Sequence, residues 1–224
     1  MGIQWEGFGG VVADVGGTAF RALNVQAKPA EHGALGHYSW GALSGIIPAA
    51  LTANSEILQF QWTDATRFCV IRKVRVSACV TTTFFAAGVP VQLDLVKVTG
   101  WSAVGTGGTR PAVAALLKKR TNMGNSLLAA NNIGVITTAA LGVGTKTLEG
   151  TPMQAIVAPG PITASLNGQI IAPGTILFQH EVGDGEHPLV LAQNEGFVIR
   201  SVAVPATGTW QAAFQVDWAE VTAY

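Results

Sequence analysis

Charge is scarce in this chain. Of its 224 residues only 12% are Asp, Glu, Lys or Arg, about half the usual share of roughly 25%, and 13 basic residues balance 13 acidic ones. A nucleic-acid-binding module normally carries a basic excess, so this balance argues against one. Cysteine is scarcer still, with only Cys69 and Cys79. They fall in one strand-like segment, where ten residues at about 3.3 Å each hold them roughly 33 Å apart. A disulfide requires α-carbons within about 7 Å, so both are expected as free thiols, which fits synthesis in a cytosol. No run approaches the roughly 18 apolar residues of a membrane-spanning helix, and the N-terminus lacks a basic region followed by an apolar block. The chain therefore reads as soluble and unexported. A long amphipathic helix is also missing, and the absence of any fixed repeat period disfavours propellers and solenoids.

Against these absences stand 49% hydrophobic residues, 27 glycines and 10 prolines. Such hydrophobicity excludes disorder, the length suits a domain that buries a real core, and the Gly and Pro content favours turns over long helices. An apolar chain with so little charge also predicts surfaces covered by other subunits.

Residues 1–55 are rich in Gly and Ala, with scattered aromatics and no sustained period, and read as an extended, irregular arm with one or two short strands. Its aromatic residues either lie on a neighbouring subunit or cover the chain's own core. Trp5, Phe8, Tyr38 and Trp40 of this arm, with Arg72 and Arg75, are the candidate subunit-interface residues.

Residues 56–224 read as the folded domain. Leu58, Phe60 and Trp62 alternate with Gln59 and Gln61 as a half-buried strand. Asp64-Ala65 turns the chain, and Phe68, Val70, Val74, Val76, Ala78 and Val80 then share one parity while Lys73, Arg75 and Ser77 share the other. Arg72 spoils that register and predicts a bulge. After an Ala87-Gly88 turn, Val89 to Val98 alternates until Leu95-Val96 breaks phase. Residues 100–150 read as a loop-rich excursion in which Pro111 to Lys119 is either the start of a short helix or an irregular strand. Further on, Ile176–His180 and Leu189–Leu191 flank Gly183-Asp184-Gly185, which predicts a hairpin, and Glu195-Gly196 marks the next turn. Phe197–Val204 and the strictly alternating Trp210–Trp218 are the last two antiparallel strands. Closely spaced strands without long helices predict an all-β fold, an antiparallel β-sandwich or jelly roll.

Few motifs point to chemistry. Ala13-Asp-Val-Gly-Gly-Thr-Ala-Phe-Arg21 resembles the phosphate loop of sugar kinases, but those enzymes have two α/β lobes and this chain is too short and helix-poor for both. His180, Glu181, Asp184, Glu186 and His187 invite a metal reading, yet in the expected hairpin the two histidines are not cross-strand neighbours, so the segment reads as a solvated tip. A Gly-x-Ser-x-Gly elbow is absent, and neither cysteine has an activating context. The clusters Arg72-Lys73-Arg75 and Lys118-Lys119-Arg120 read as a strand's solvent face and an ion-pair patch. No catalytic, cofactor or metal residue is assigned.

From Phe178 onward the sequence resembles virion structural proteins of tailed bacteriophages, of the minor-capsid or capsid-decoration (cement) kind. Gly183-Asp-Gly185, Pro188–Leu191, Asn194–Arg200, Gly208-Thr-Trp210 and Val216–Glu220 carry the resemblance. Trp62–Arg72, Val91–Leu95 and Gly105–Thr109 extend it upstream. It implies a β-sandwich or jelly-roll subunit, a homotrimer, that sits on the capsid surface after synthesis in the bacterial host's cytoplasm. Its partner would be the major capsid protein, with no cofactor, small-molecule substrate, membrane or nucleic acid involved. Tail or adsorption-apparatus proteins share much of this composition, and in that setting Trp5, Trp40 or Trp101 would serve as a glycan-stacking platform.

Overall fold

The computed structural model describes residues 3–7, 11–15, 36–48, 51–85, 90–110, 118–159, 168–181, 187–203 and 207–222, with backbone alone for the first two stretches. The described residues contain no helix, and every strand pairing is antiparallel. In chain order the strands are β1 (Ile3–Gly7), β2 (Val11–Val15), β3 (His37–Leu43), β4 (Ile47–Pro48), β5 (Ser55–Trp62), β6 (Phe68–Val80) and β7 (Val91–Ala103). They continue with β8 (Ile133–Val135), β9 (Thr145–Leu148), β10 (Gln154–Ala158), β11 (Gln169–Gln179), β12 (Leu189–Leu191), β13 (Glu195–Ala203) and β14 (Thr209–Val221). Strands β1 and β2 form a separate two-stranded ladder. The others form two six-stranded sheets. Sheet I runs β10-β7-β13-β5-β8 with β9 also on β7, and sheet II runs β11-β6-β14-β3 with β12 also on β6 and β4 on β14.

Strands β6, β7 and β14, 13 residues each, organise both sheets. Each is long enough for two shorter strands to lie end to end along one edge: β11 and β12 on β6, β10 and β9 on β7, β3 and β4 on β14. This corrects the expected hairpin around Asp184. Ile176 pairs with Arg75 and Leu189 with Ile71, so the flanking strands share β6 as partner instead of facing each other. The Asp-Gly tip and the Ala87-Gly88 turn lie outside the described residues. The last two strands, β13 and β14, belong to opposite sheets. The turn before β13 falls at Asn194, whose φ of 62° supplies the left-handed geometry, while Gly196 is already paired in β13. At Gly196 a Cβ would press on the Trp101 ring and the Phe60 carbonyl.

Parity explains the core. Leu58, Phe60 and Trp62 of β5 and Trp210, Ala212, Phe214, Val216 and Trp218 of β14 fill the space between the sheets, as their alternation requires. In β6, Asp217 pairs with Lys73 but Trp218 with Ile71, so Arg72 is the extra residue of a bulge. Beyond it the inward parity switches. Cys69 and Ile71 point into the core, whereas Val70 joins Ala219 and Val221 in a small cluster and Phe68 is 36% exposed. The sequence placed Phe68 and Val70 with Val74, and the bulge separates them. In β7 the phase break at Leu95-Val96 involves no bulge. Leu93 and Leu95 face the main core, while Val96 and Val98 belong to a second cluster with Trp101 and Val198.

Candidate functional site

The two outer faces of the sandwich differ. Around β5, sheet I is covered by the excursion that follows β7, so this strand is buried on both sides and not half-buried as its alternation suggested. Gln59 and Gln61, the expected solvent face, are 0% and 4% exposed. They are accommodated because their amide nitrogens find acceptors on β5, on β7 and in the excursion. Gln61 Nε2 donates to the Trp101 carbonyl at 2.6 Å, and Gln59 Nε2 donates to the Gly142 carbonyl at 2.8 Å and to Glu56 Oε2 at 2.5 Å. Arg110 Nη2 donates to Gln59 Oε1 and to the Gly105 carbonyl, both at 2.7 Å. Lys146 Nζ lies 2.6 Å from Glu56 Oε2, donates to the Val143 carbonyl, and stands 4.5 Å from the centre of the Trp101 ring. Burial lowers the Lys146 pKa, opposed by the Glu56 hydrogen bond and charge.

A second buried network ties the excursion to the end of β14. Ser126 Oγ donates to Glu220 Oε1 at 2.6 Å, with Leu127 N at 3.1 Å and Trp218 Nε1 at 3.3 Å on the same oxygen. Burial pushes the Glu220 carboxyl above its ordinary pKa despite these donors and Arg67. Tyr38 stacks on Trp218 at 5.7 Å, and its hydroxyl donates to the Gly124 carbonyl.

Among the described residues, the outer face of sheet II stays largely open. Its register sets Gln211 beside Cys79, Ala213 beside Ser77, Gln215 beside Arg75 and Asp217 beside Lys73. Ser39, Gly41 and Leu43 of β3 continue the surface. Depressions of about 260, 270 and 340 Å³ follow one another along it. At its centre Arg75 Nη1 donates to Gln215 Oε1 at 3.2 Å, and at one end Lys119 Nζ meets Asp217 Oδ1 at 3.2 Å. The fold thus brings the basic clusters at Lys73 and Lys119 to one depression, which sequence order does not reveal.

Of the six candidate interface residues, Arg75 and Arg72 line this face, Arg72 from the bulge. Tyr38 and Trp40 are 0% and 6% exposed and pack in the chain's own core. Trp5 lies in β1 with its side chain undescribed, and Phe8 is outside the described residues. Trp101 is fully buried, so neither it nor Trp40 offers a ring face to a glycan. Asp14 pairs with Gln4 in the β1–β2 ladder, and the rest of the kinase-like loop is undescribed. His180 lines the depression at Lys119, and among the described residues no group of three or more His, Cys, Asp or Glu could hold a metal. Both cysteines are free and lie on β6, Cys69 buried and Cys79 exposed. Sequence reasoning missed Glu56, Gln59, Arg110, Lys146 and Glu220. The one available signal was a run of polar side chains, Glu56, Gln59 and Gln61, in a strand otherwise built for burial.

No protein-family model, no curated protein and no solved structure matches the chain.

Proposed function

We propose that this chain is a structural virion protein that binds the outside of a phage capsid and stabilises it by clamping adjacent major capsid subunits. The observation that carries the reading is the inequality of the two faces: around β5, sheet I is covered by the chain itself, whereas sheet II presents an open ladder of small, amide and charged side chains. A surface of this kind suits a protein whose partner is another protein, held by many weak contacts made together. The strand order supports a jelly roll. With β8, β9 and the short extensions set aside, β3-β14-β6-β11 faces β5-β13-β7-β10, so that successive strands alternate between sheets except at β7 and β10, which pair with each other, as in two Greek keys. That fold serves both viral shells and lectins, which keeps a tail or adsorption protein as the alternative: the hydroxyls and amides of Ser39, Ser77, Gln211 and Gln215 suit a glycan's hydroxyls.

Co-sedimentation with expanded capsids of the encoding phage tests the reading. Binding that is weakened by Arg75→Glu, together with a native mass of about 70 kDa for a trimer of the 23.2 kDa chain, is expected. A monomer that ignores capsids and is retained by a host-surface glycan would overturn it in favour of the alternative.

A further inference from the structure

We propose that Lys146 and Gln59 become joined by an intramolecular isopeptide bond, formed without any other enzyme, in the sealed space between β5, β9 and the excursion. The inference rests on the geometry of four side chains and is independent of the capsid reading.

Lys146 Nζ and Gln59 Nε2 both donate to one oxygen, Glu56 Oε2, at 2.6 and 2.5 Å. The amine and the carboxamide nitrogen therefore flank a single proton acceptor. On the far side of the amide, Arg110 Nη2 donates to Gln59 Oε1 at 2.7 Å, where negative charge develops when a nucleophile adds to the carbonyl carbon. Water is excluded, since the Lys146 side chain is 0% and the Glu56 side chain 3% exposed. One further observation fits no simple structural role. Among the described residues the buried Glu56 Oε1 has no hydrogen-bond partner, which is costly for a carboxylate kept only as a counter-ion but suits a group that must hold a proton in transit. Burial also favours the neutral, nucleophilic amine of Lys146.

The step balances. Glu56 takes a proton from the Lys146 ammonium, and the freed lone pair on Nζ attacks Cδ of Gln59. Arg110 stabilises the oxyanion on Oε1. Glu56 passes its proton to Nε2 and accepts the second proton that Nζ sheds, the Cδ–Nε2 bond breaks, and ammonia leaves from beside the Gly142 carbonyl. The products are a secondary amide, ammonia and a protonated Glu56, with no oxidant, reductant or cofactor required. Fixed side chains supply the proximity that lets so unreactive a pair combine. The bond would pin β9 to β5 and close a loop of roughly 90 residues, constraining the unfolded chain as a long-loop disulfide does.

The test is the intact mass of the purified full-length chain. The expected result is a mass about 17 Da below that of the sequence, one ammonia lost, with a protease digest containing a branched peptide that links Gln59 to Lys146. Glu56→Gln and Lys146→Arg, each checked for a folded circular dichroism spectrum, should show the full mass. A wild-type chain that keeps the full mass after prolonged warming would overturn the proposal, and so would an ammonia loss mapped elsewhere. Because the wild-type measurements decide the question alone, failure of either variant to fold does not rescue or sink it.

Discussion

Phe60 of sheet I meets Trp218 of sheet II edge-on, with ring centroids 5.5 Å apart and planes at 69°. Phe60 also stacks at 5.2 Å on Phe197, its direct partner in the register of β5 and β13. One ring therefore joins the two sheets and two neighbouring strands, and all three side chains are fully buried. Phe60→Ala should cost about 3–5 kcal/mol in urea unfolding, since the cavity lies where neither sheet can collapse inward. Phe68→Ala, at the exposed end of β6, should cost less than about 1 kcal/mol.

Gly105 lets two parts of the excursion touch. A Cβ there would fall on the Gly142 carbonyl, the group that also accepts from Gln59 Nε2. Gly105→Ala should lower stability by about 1–3 kcal/mol, the usual range for overpacking. Gly150→Ala, where a Cβ meets nothing within 4 Å, should change it by less than about 0.5 kcal/mol. Melting temperatures of the two variants make the comparison.

The cysteines should differ in reactivity. Burial, assisted by the Glu220 charge, pushes the Cys69 thiol well above its ordinary pKa, whereas Cys79 is exposed. With a chromogenic thiol reagent at mild alkaline pH, one thiol should react in the native protein and the second only in denaturant. Cys79→Ser should abolish the native reaction.

Acid should weaken the Asp217 anchor. Burial alone would raise its pKa, but hydrogen bonds from Ser39, Lys119 and Gln215 and the Lys119 charge outweigh it, leaving the carboxyl below its ordinary value. A group depressed on folding contributes stability that is whole above its unfolded pKa and lost as pH falls through its folded one. The unfolding midpoints of wild type and Asp217→Asn should thus differ most near neutrality and converge below about pH 4. The difference is small, because Lys119 is 37% exposed. Glu220 has the opposite sign: its raised pKa makes stability fall as pH climbs from the unfolded toward the folded value.

Legibility followed the physics of each segment. Strand β14 and the Arg72 bulge were readable because a two-residue period, and its failure at one position, is imposed by burial on one face, whereas in β5 the same period marked the inward side chains and misplaced Gln59 and Gln61 in solvent. The excursion was not, since Arg110 and Lys146 are held by side-chain hydrogen bonds to β5 and a ring contact to β7 that leave no period. The hairpin at Asp184 was misread because local turn chemistry cannot reveal that a 13-residue strand elsewhere offers both flanking segments a better edge. The candidate surface was half legible: Arg75 and its parity were visible, but its meeting with Gln215, and that of Lys119 with Asp217, required the fold.

The pairing of β3 with β14 has a mechanical consequence. His37 lies opposite Ala219 and Leu43 opposite Ala213, so the chain enters one strand and leaves the other at the same end of their ladder. Tension applied through the segments flanking residues 36 and 222 would part this seam rung by rung, never straining all its hydrogen bonds together. Pulled that way, the sandwich unzips at low force. A load directed across the sheets meets the packed core between them instead.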